Sequence, residues 1–281
     1  MAIDLTMLFG TPPDGSVAAN LLNTIYGQAA GTGATSNQDP VRALQQAEQN
    51  QANDIATTAA EPQVQRDIAA FQAGVQSAKS PQDLLQNPTV MKVLLTANGL
   101  GADLPYTALA QQALLSNVND PNALANTLSD TNWKAVAQTY DFANKGLSII
   151  QNPKVLSTLA NAYAEVTWRQ SLDAATPGLS NALTFRAEAS GITSVDQILG
   201  DPVMRQVVTT ALGIPLQIAY QDLGAQEKAI TTQLDITQFK DPKFVESFVQ
   251  RYLIATQQNA AGTSSQTNLD ALAVQAQGLL V

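Results

Sequence analysis

The side chains that could do chemistry in this chain are carboxylates, hydroxyls and scattered amines, because it contains neither histidine nor cysteine. Without His there is no Ser-His-Asp triad, no HExxH zinc site and no imidazole proton shuttle. Without Cys there is no thiolate nucleophile, thiolate metal site or disulfide framework. Paired carboxylates could still perform acid–base work, but the 23 Asp and Glu residues are dispersed. A Ser–Lys dyad is chemically allowed, yet no pair stands out. Gly31-Thr32-Gly33 looks like part of a dinucleotide loop, but no third Gly follows in register. The run from Asn117 to Asn122 resembles the start of a calcium loop, but it has no Gly at the sixth position and carries Pro121 inside. No residue is nominated as catalytic, cofactor-binding or metal-ligating, and the expectation is a protein that is not an enzyme.

Charge narrows the partners. The net charge is −9, and the 14 basic residues occur singly, none before Arg42. Phosphate backbones and anionic lipids need clustered Lys or Arg, so neither nucleic acid nor a lipid surface is expected as partner. No apolar run is long enough to span a bilayer. Met1 to Gly10 is apolar but lacks the basic residues of a secretory signal peptide.

The elements that would position any site are helices. Asx-Pro dipeptides occur at Asp39-Pro40, Asn87-Pro88, Asp120-Pro121, Asn152-Pro153, Asp201-Pro202 and Asp241-Pro242, with Glu61-Pro62 a weaker relative. Asp or Asn accepts from the free N–H groups at a helix start, and Pro suits the first helical position. Apolar spacing of three and four follows: Val64, Ile68, Phe71 and Val75; Leu156, Leu159, Tyr163 and Val166; Phe244, Phe248 and Tyr252. Gly99, Gly200 and Gly213 are expected helix C-caps. Trp133 and Trp168 are expected in the core. Glu165–Arg169 and Asp201–Arg205, each four apart, are expected helix-surface pairs.

An internal echo appears at an offset of 114 residues. It pairs Phe71 with Phe185, Ser80 with Ser194, Leu85 with Leu199, Pro88 with Pro202, Thr96 with Thr210 and Gly99 with Gly213. The expected fold is therefore all-α and multihelical, with two related lobes from an internal duplication and flexible ends. Residues 1–60 read as a flexible N-terminal extension with short helices, 61–150 as lobe 1, 151–174 as a connecting helix and 175–257 as lobe 2. Residues 258–281 read as a polar linker with a short amphipathic C-terminal helix. Residues 10–39 and 257–268 are expected to be mobile. The amphipathic segments beyond them, with Val17, Leu21, Leu22 and Ile25 at one end and Leu269, Leu272, Ala276 and Leu279 at the other, could dock on the body or on another subunit.

From about Ala60 to Gln257 the chain resembles domain of unknown function 1217, a bacterial family encoded beside flagellar genes in alphaproteobacteria. The resemblance rests on Pro62-Gln63-Val64-Gln65-Arg66-Asp67-Ile68 with Phe71, then Asp83-Leu84-Leu85, Pro88 and Ala97-Asn98-Gly99-Leu100. It continues through Asp120-Pro121-Asn122-Ala123-Leu124-Ala125-Asn126, Leu128-Ser129-Asp130 and Trp133. The later half follows from Gln197-Ile198-Leu199 to Asp241-Pro242 and Phe248-Val249-Gln250-Arg251-Tyr252. It implies a multihelical fold and a flagellar link, but no activity, ligand or catalytic residue. The expectation is a non-enzymatic structural or interaction component of the bacterial flagellum, exported without a cleaved signal peptide. Its partners would be other flagellar proteins or further copies of itself, bound through the terminal amphipathic helices. The alternative is a cytoplasmic chaperone or regulator of flagellar assembly.

Overall fold

The computed structural model describes the backbone of residues 39–277 and the side chains among them except Leu216 and 261–277. Gly31-Thr32-Gly33, the segment from Val17 to Ile25, most of the 10–39 stretch and Leu279 lie outside the described residues. Among the described residues every regular element is helical, and no helix is long and apolar enough to cross a membrane.

Fourteen α-helices are described: α1 Pro40–Ala60, α2 Pro62–Ser77, α3 Pro81–Gln86, α4 Pro88–Ala97, α5 Thr107–Leu115, α6 Leu124–Thr127, α7 Asn132–Tyr140 and α8 Phe142–Lys145, followed by α9 Pro153–Leu172, α10 Leu179–Glu188, α11 Val195–Gly200, α12 Pro202–Ala211, α13 Leu223–Thr231 and α14 Pro242–Gln277. Short 3-10 turns Gly101–Tyr106 and Leu216–Tyr220 follow α4 and α12.

Most Asx-Pro dipeptides start helices as their chemistry requires. The Asn87 side chain accepts from the N–H groups of Thr89 and Val90, and Asp201 accepts from those of Val203 and Met204. Asp39, Asn152 and Asp241 cap α1, α9 and α14 in the same way. Glu61 starts α2 without a side-chain cap. Asp120-Pro121 departs from expectation. It lies in a turn closed by Asp120 accepting from the Asn122 N–H, and the Asn126 amide donates to the carbonyls of Val118 and Asp120. The local side-chain bonds compete with a helix there and win.

Two hydrophobic cores form. The first gathers α2, α4, α5 and α7 around Phe71, Val75, Leu94, Leu114 and Trp133. The second gathers α10, α12 and α14 around Phe185, Phe239, Phe248 and Tyr252. Helix α9 serves both: Leu156, Leu159 and Tyr163 enter the first core, while Trp168 enters the second. Residues 40–60, expected to lie in a flexible extension with short helices, instead form the one long helix α1, whose Ala43, Leu44 and Ala47 are buried in the second core. Leu44 between two alanines on one helix face, with Ile55 packed alongside, seats it.

Helix α14 runs through 258–268 without a break. Its composition there is polar, but after Pro242 it contains no proline and only Gly262 among strong helix breakers, so nothing local ends it.

Local geometry recurs 114 residues apart. Ser80 and Ser194 cap α3 and α11 through the N–H three residues on. Gly99 and Gly213 have φ of +77° and +66°, and the following N–H groups of Leu100 and Ile214 each reach back 2.8 Å to the carbonyls of Leu95 and Thr209. These are Schellman endings, which a left-handed Gly makes cheap. Gly200 does not end α11 that way. A Cβ at Gly200 would lie 2.3 Å from the Ser129 carbonyl oxygen, so Gly is needed there to let two backbones meet.

Each core has a polar tie. In the first, Asp67 on α2 accepts from the Lys92 ammonium at 2.7 Å and the Tyr163 hydroxyl at 2.6 Å. In the second, Arg186 on α10 pairs with Glu48 on α1 and with Glu246 on α14. Burial alone would push the Asp67 carboxyl up. The hydrogen bonds from Lys92, Tyr163 and Gln63, together with the Lys92 charge, outweigh it and hold the carboxyl below the usual range. A lowered carboxyl contributes stability at neutral pH that is lost as pH falls through its folded pKa. Asp67→Asn is expected to cost about 2 kcal/mol at pH 7. Urea midpoints for the wild type and variant should converge in acid.

Candidate functional site

The sequence leaves carboxylates as the main candidates for chemistry, and the fold gathers several of them at a seam between the two cores. Helices α4, α9 and α10 and the start of α12 bound a cleft of about 610 Å³, and an adjoining recess of about 400 Å³ shares Asn132, Glu188 and Asp201 with it.

Elements of both cores supply the seam. Asp130 and Asn132 come from the turn before α7 and from its first residue; Asp201 comes from the cap of α12. The Asn132 amide donates to Asp201 Oδ2 at 2.8 Å, while the Asn132 backbone N–H donates to Asp130 Oδ1 at 2.8 Å. Asp201 is 8% exposed, and its other oxygen takes the two N–H groups at the start of α12. This explains why the expected Asp201–Arg205 pair is not made. The carboxylate is turned to the helix start, and Arg205 instead donates to the Leu199 carbonyl at 3.4 Å.

On α9, Glu165 and Arg169 do pair, and Arg169 also donates to Thr184 Oγ1 at 3.3 Å. Ser180, a buried hydroxyl of the cleft, donates to Asp173.

Burial, with like charge adding to it, shows in the acidities. Asp130 is pushed up to about 6, chiefly by burial; the Asn132 N–H opposes this, and the charges of Asp201 and Asp103 add to it. Glu188 is raised by burial and then by Asp201, against the pull of Arg169, with Asp130 adding. A perturbed carboxyl in a cleft is the ordinary flag of a functional site, but structural seams produce it too.

The sign of the Asp130 shift gives a test. The folded chain holds this proton more tightly than an unfolded chain whose carboxyl titrates near 3.8. Stability therefore rises as pH falls through 6, and the ionised carboxylate is a standing penalty above it. Asp130→Asn keeps the acceptor for the Asn132 N–H and removes the charge. We expect it to raise stability at pH 7.5 by about 1 kcal/mol after allowance for solvent screening. No difference should remain below about pH 4, which thermal unfolding across pH would show.

Trp133 and Trp168 are both buried, as expected of core residues. The exposed aromatics are elsewhere. Of the thirteen aromatic side chains described, ten are buried and Phe244 is half-buried, leaving Tyr106 and Tyr220 exposed at 63% and 92%. Tyr106 ends the 3-10 turn after α4, and Tyr220 ends the one after α12. They are 114 residues apart, the offset already present in the sequence. Sequence reasoning did not single them out, although the offset pairs them.

The family model described as protein of unknown function (DUF1217) matches residues 97–245, more than half of the chain. A crystal structure of an Agrobacterium tumefaciens protein is similar to this chain with 25% sequence identity and a TM-score of 0.65, covering 76% of this chain and 91% of that one. A search of the curated proteins finds no match. The matched span takes in the seam, more than half of the first core and most of the second, and it places the chain in that family: it belongs to the proteins of unknown function DUF1217.

Proposed function

We propose that this protein is a non-enzymatic component of the bacterial flagellum that acts by binding other flagellar proteins. The observation that carries the interaction reading is the pair of exposed tyrosines, one in each lobe, on a body that buries nearly every other described aromatic ring. Tyrosine offers a large rigid contact area at low entropic cost and is over-represented among residues that dominate interfaces. The cleft supports the same reading. Most of its polar groups serve the fold: Asp201 caps a helix, Glu165 holds Arg169, and Ser180 is bonded to Asp173. The flagellar part rests on the family resemblance, whose members are encoded beside flagellar genes.

The experiment is a gene deletion in a motile host, complemented by wild type or by the double variant Tyr106→Ala/Tyr220→Ala. Flagella are counted by electron microscopy and swimming is measured. The reading expects loss of flagella or swimming, restored by wild type and not by a stably folded double variant. Normal flagella and swimming in the deletion strain would overturn it.

A further inference from the structure

The sequence around the two tyrosines is alike in charge as well as in position. No Lys or Arg occurs between Lys92 and Lys134, a stretch that holds Tyr106 with Asp103, Asp120 and Asp130. None occurs between Arg205 and Lys228, a stretch that holds Tyr220 with Asp222 and Glu227. Asp103 lies in the same 3-10 turn as Tyr106, and Asp222 caps α13 two residues after Tyr220. Exposed Leu223 adjoins the second site. Near it, the neighbouring Asp196 pushes the Glu227 carboxyl up, so two acids lie close together. Lys228 is the first basic residue beyond.

We propose that Tyr106 and Tyr220 are matched anchors for a basic protein segment, one per lobe, each ring taking an arginine guanidinium on its face beside a carboxylate. The proposal rests on the interaction reading above and specifies the chemistry of the partner. Charge complementarity chooses the occupant. The chain carries a net charge of −9, so a second copy would be repelled, whereas an Arg-bearing segment gains both the ring quadrupole and the local acids. Two equivalent anchors in one chain suit a partner that presents the same basic element twice. Binding at both then makes the second contact intramolecular and raises affinity beyond either site alone.

The test uses the full chain and a fluorescein-labelled dodecapeptide of alternating Arg and Ser, followed by anisotropy, with the Glu–Ser counterpart as control. The Arg peptide is expected to bind and the Glu peptide not. Tyr106→Ala and Tyr220→Ala should each weaken binding about threefold and the double variant about tenfold, in line with a cation–π contact at each exposed ring. Tyr106→Phe/Tyr220→Phe should retain affinity, because the ring face remains. The proposal is overturned if the Arg peptide fails to bind, if the Glu peptide binds equally, if the double alanine variant binds as wild type, or if the phenylalanine variant loses as much as the alanine one. Peptide binding and motility are separate readouts: a normal deletion strain sinks the flagellar role while leaving the anchors standing, and failed peptide binding does the reverse.

Discussion

Phe185→Ala is expected to destabilise the protein by about 3–5 kcal/mol and to loosen both lobes together. Phe185 is fully buried, 5.1 Å from the Phe239 ring and 5.6 Å from that of Phe248. Truncation leaves a cavity walled by rings that are held by other helices and cannot collapse into it. The effect should pass beyond the second core because α1 and α9 contribute to both: Ile55 packs on the second core and Ala59 on the first, while α9 gives Tyr163 to one and Trp168 to the other. The two tryptophans make this measurable, since Trp133 reports the first core and Trp168 the second. Single-tryptophan versions, Trp133→Phe and Trp168→Phe, should show coincident urea transitions, both shifted by Phe185→Ala. A first-core transition left in place while the second moved would show that the shared helices do not couple the lobes.

Gly200→Ala is expected to strain the seam itself. The added Cβ would meet the Ser129 carbonyl oxygen at 2.3 Å and the Asp130 Cα at 3.8 Å. Those atoms are backbone, so no side-chain rotation relieves the clash and the lobes must shift. Overpacking of this kind costs about 2–3 kcal/mol, which in a chain of this size lowers Tm by about 5–10 °C. A second signature separates seam opening from general damage. Once the seam opens, water reaches Asp130 and its carboxyl falls from about 6 toward the ordinary value, which NMR titration would register. Gly191→Ala is the control: a Cβ there meets nothing within 4 Å, and the change should stay within about 0.5 kcal/mol. Equal Tm for the two variants would mean the backbones do not meet at Gly200.

Local chemistry was the legible part of this fold. Asn87, Asn152, Asp201 and Asp241 could be read as helix starts because an Asx side chain and a following Pro act within three residues. The stripes through Phe71 and Tyr163 gave the buried faces because a helix repeats every 3.6 residues. Asp120-Pro121 carried the same two residues and did not start a helix, because Asn126 closes the turn from further along the chain. The site was harder. Asp130, Glu188 and Asp201 come together only in the folded chain, and no spacing rule joins residues so far apart. Gly200 looked like a cap because Gly at a helix end usually is one; its actual reason, the Ser129 carbonyl, lies far back in the chain. Tyr106 and Tyr220 stood at the same offset as the paired core residues, but only exposure separates an anchor from a core ring.

The most direct test of a flagellar interaction role is where the protein sits in cells with and without a working flagellar export gate. Cytoplasm, culture medium and purified flagella would be immunoblotted from both strains. The account predicts the protein in flagella or medium only when the gate works. Retention in the cytoplasm of both strains, with flagella free of it, would contradict that role and favour a cytoplasmic chaperone or regulator.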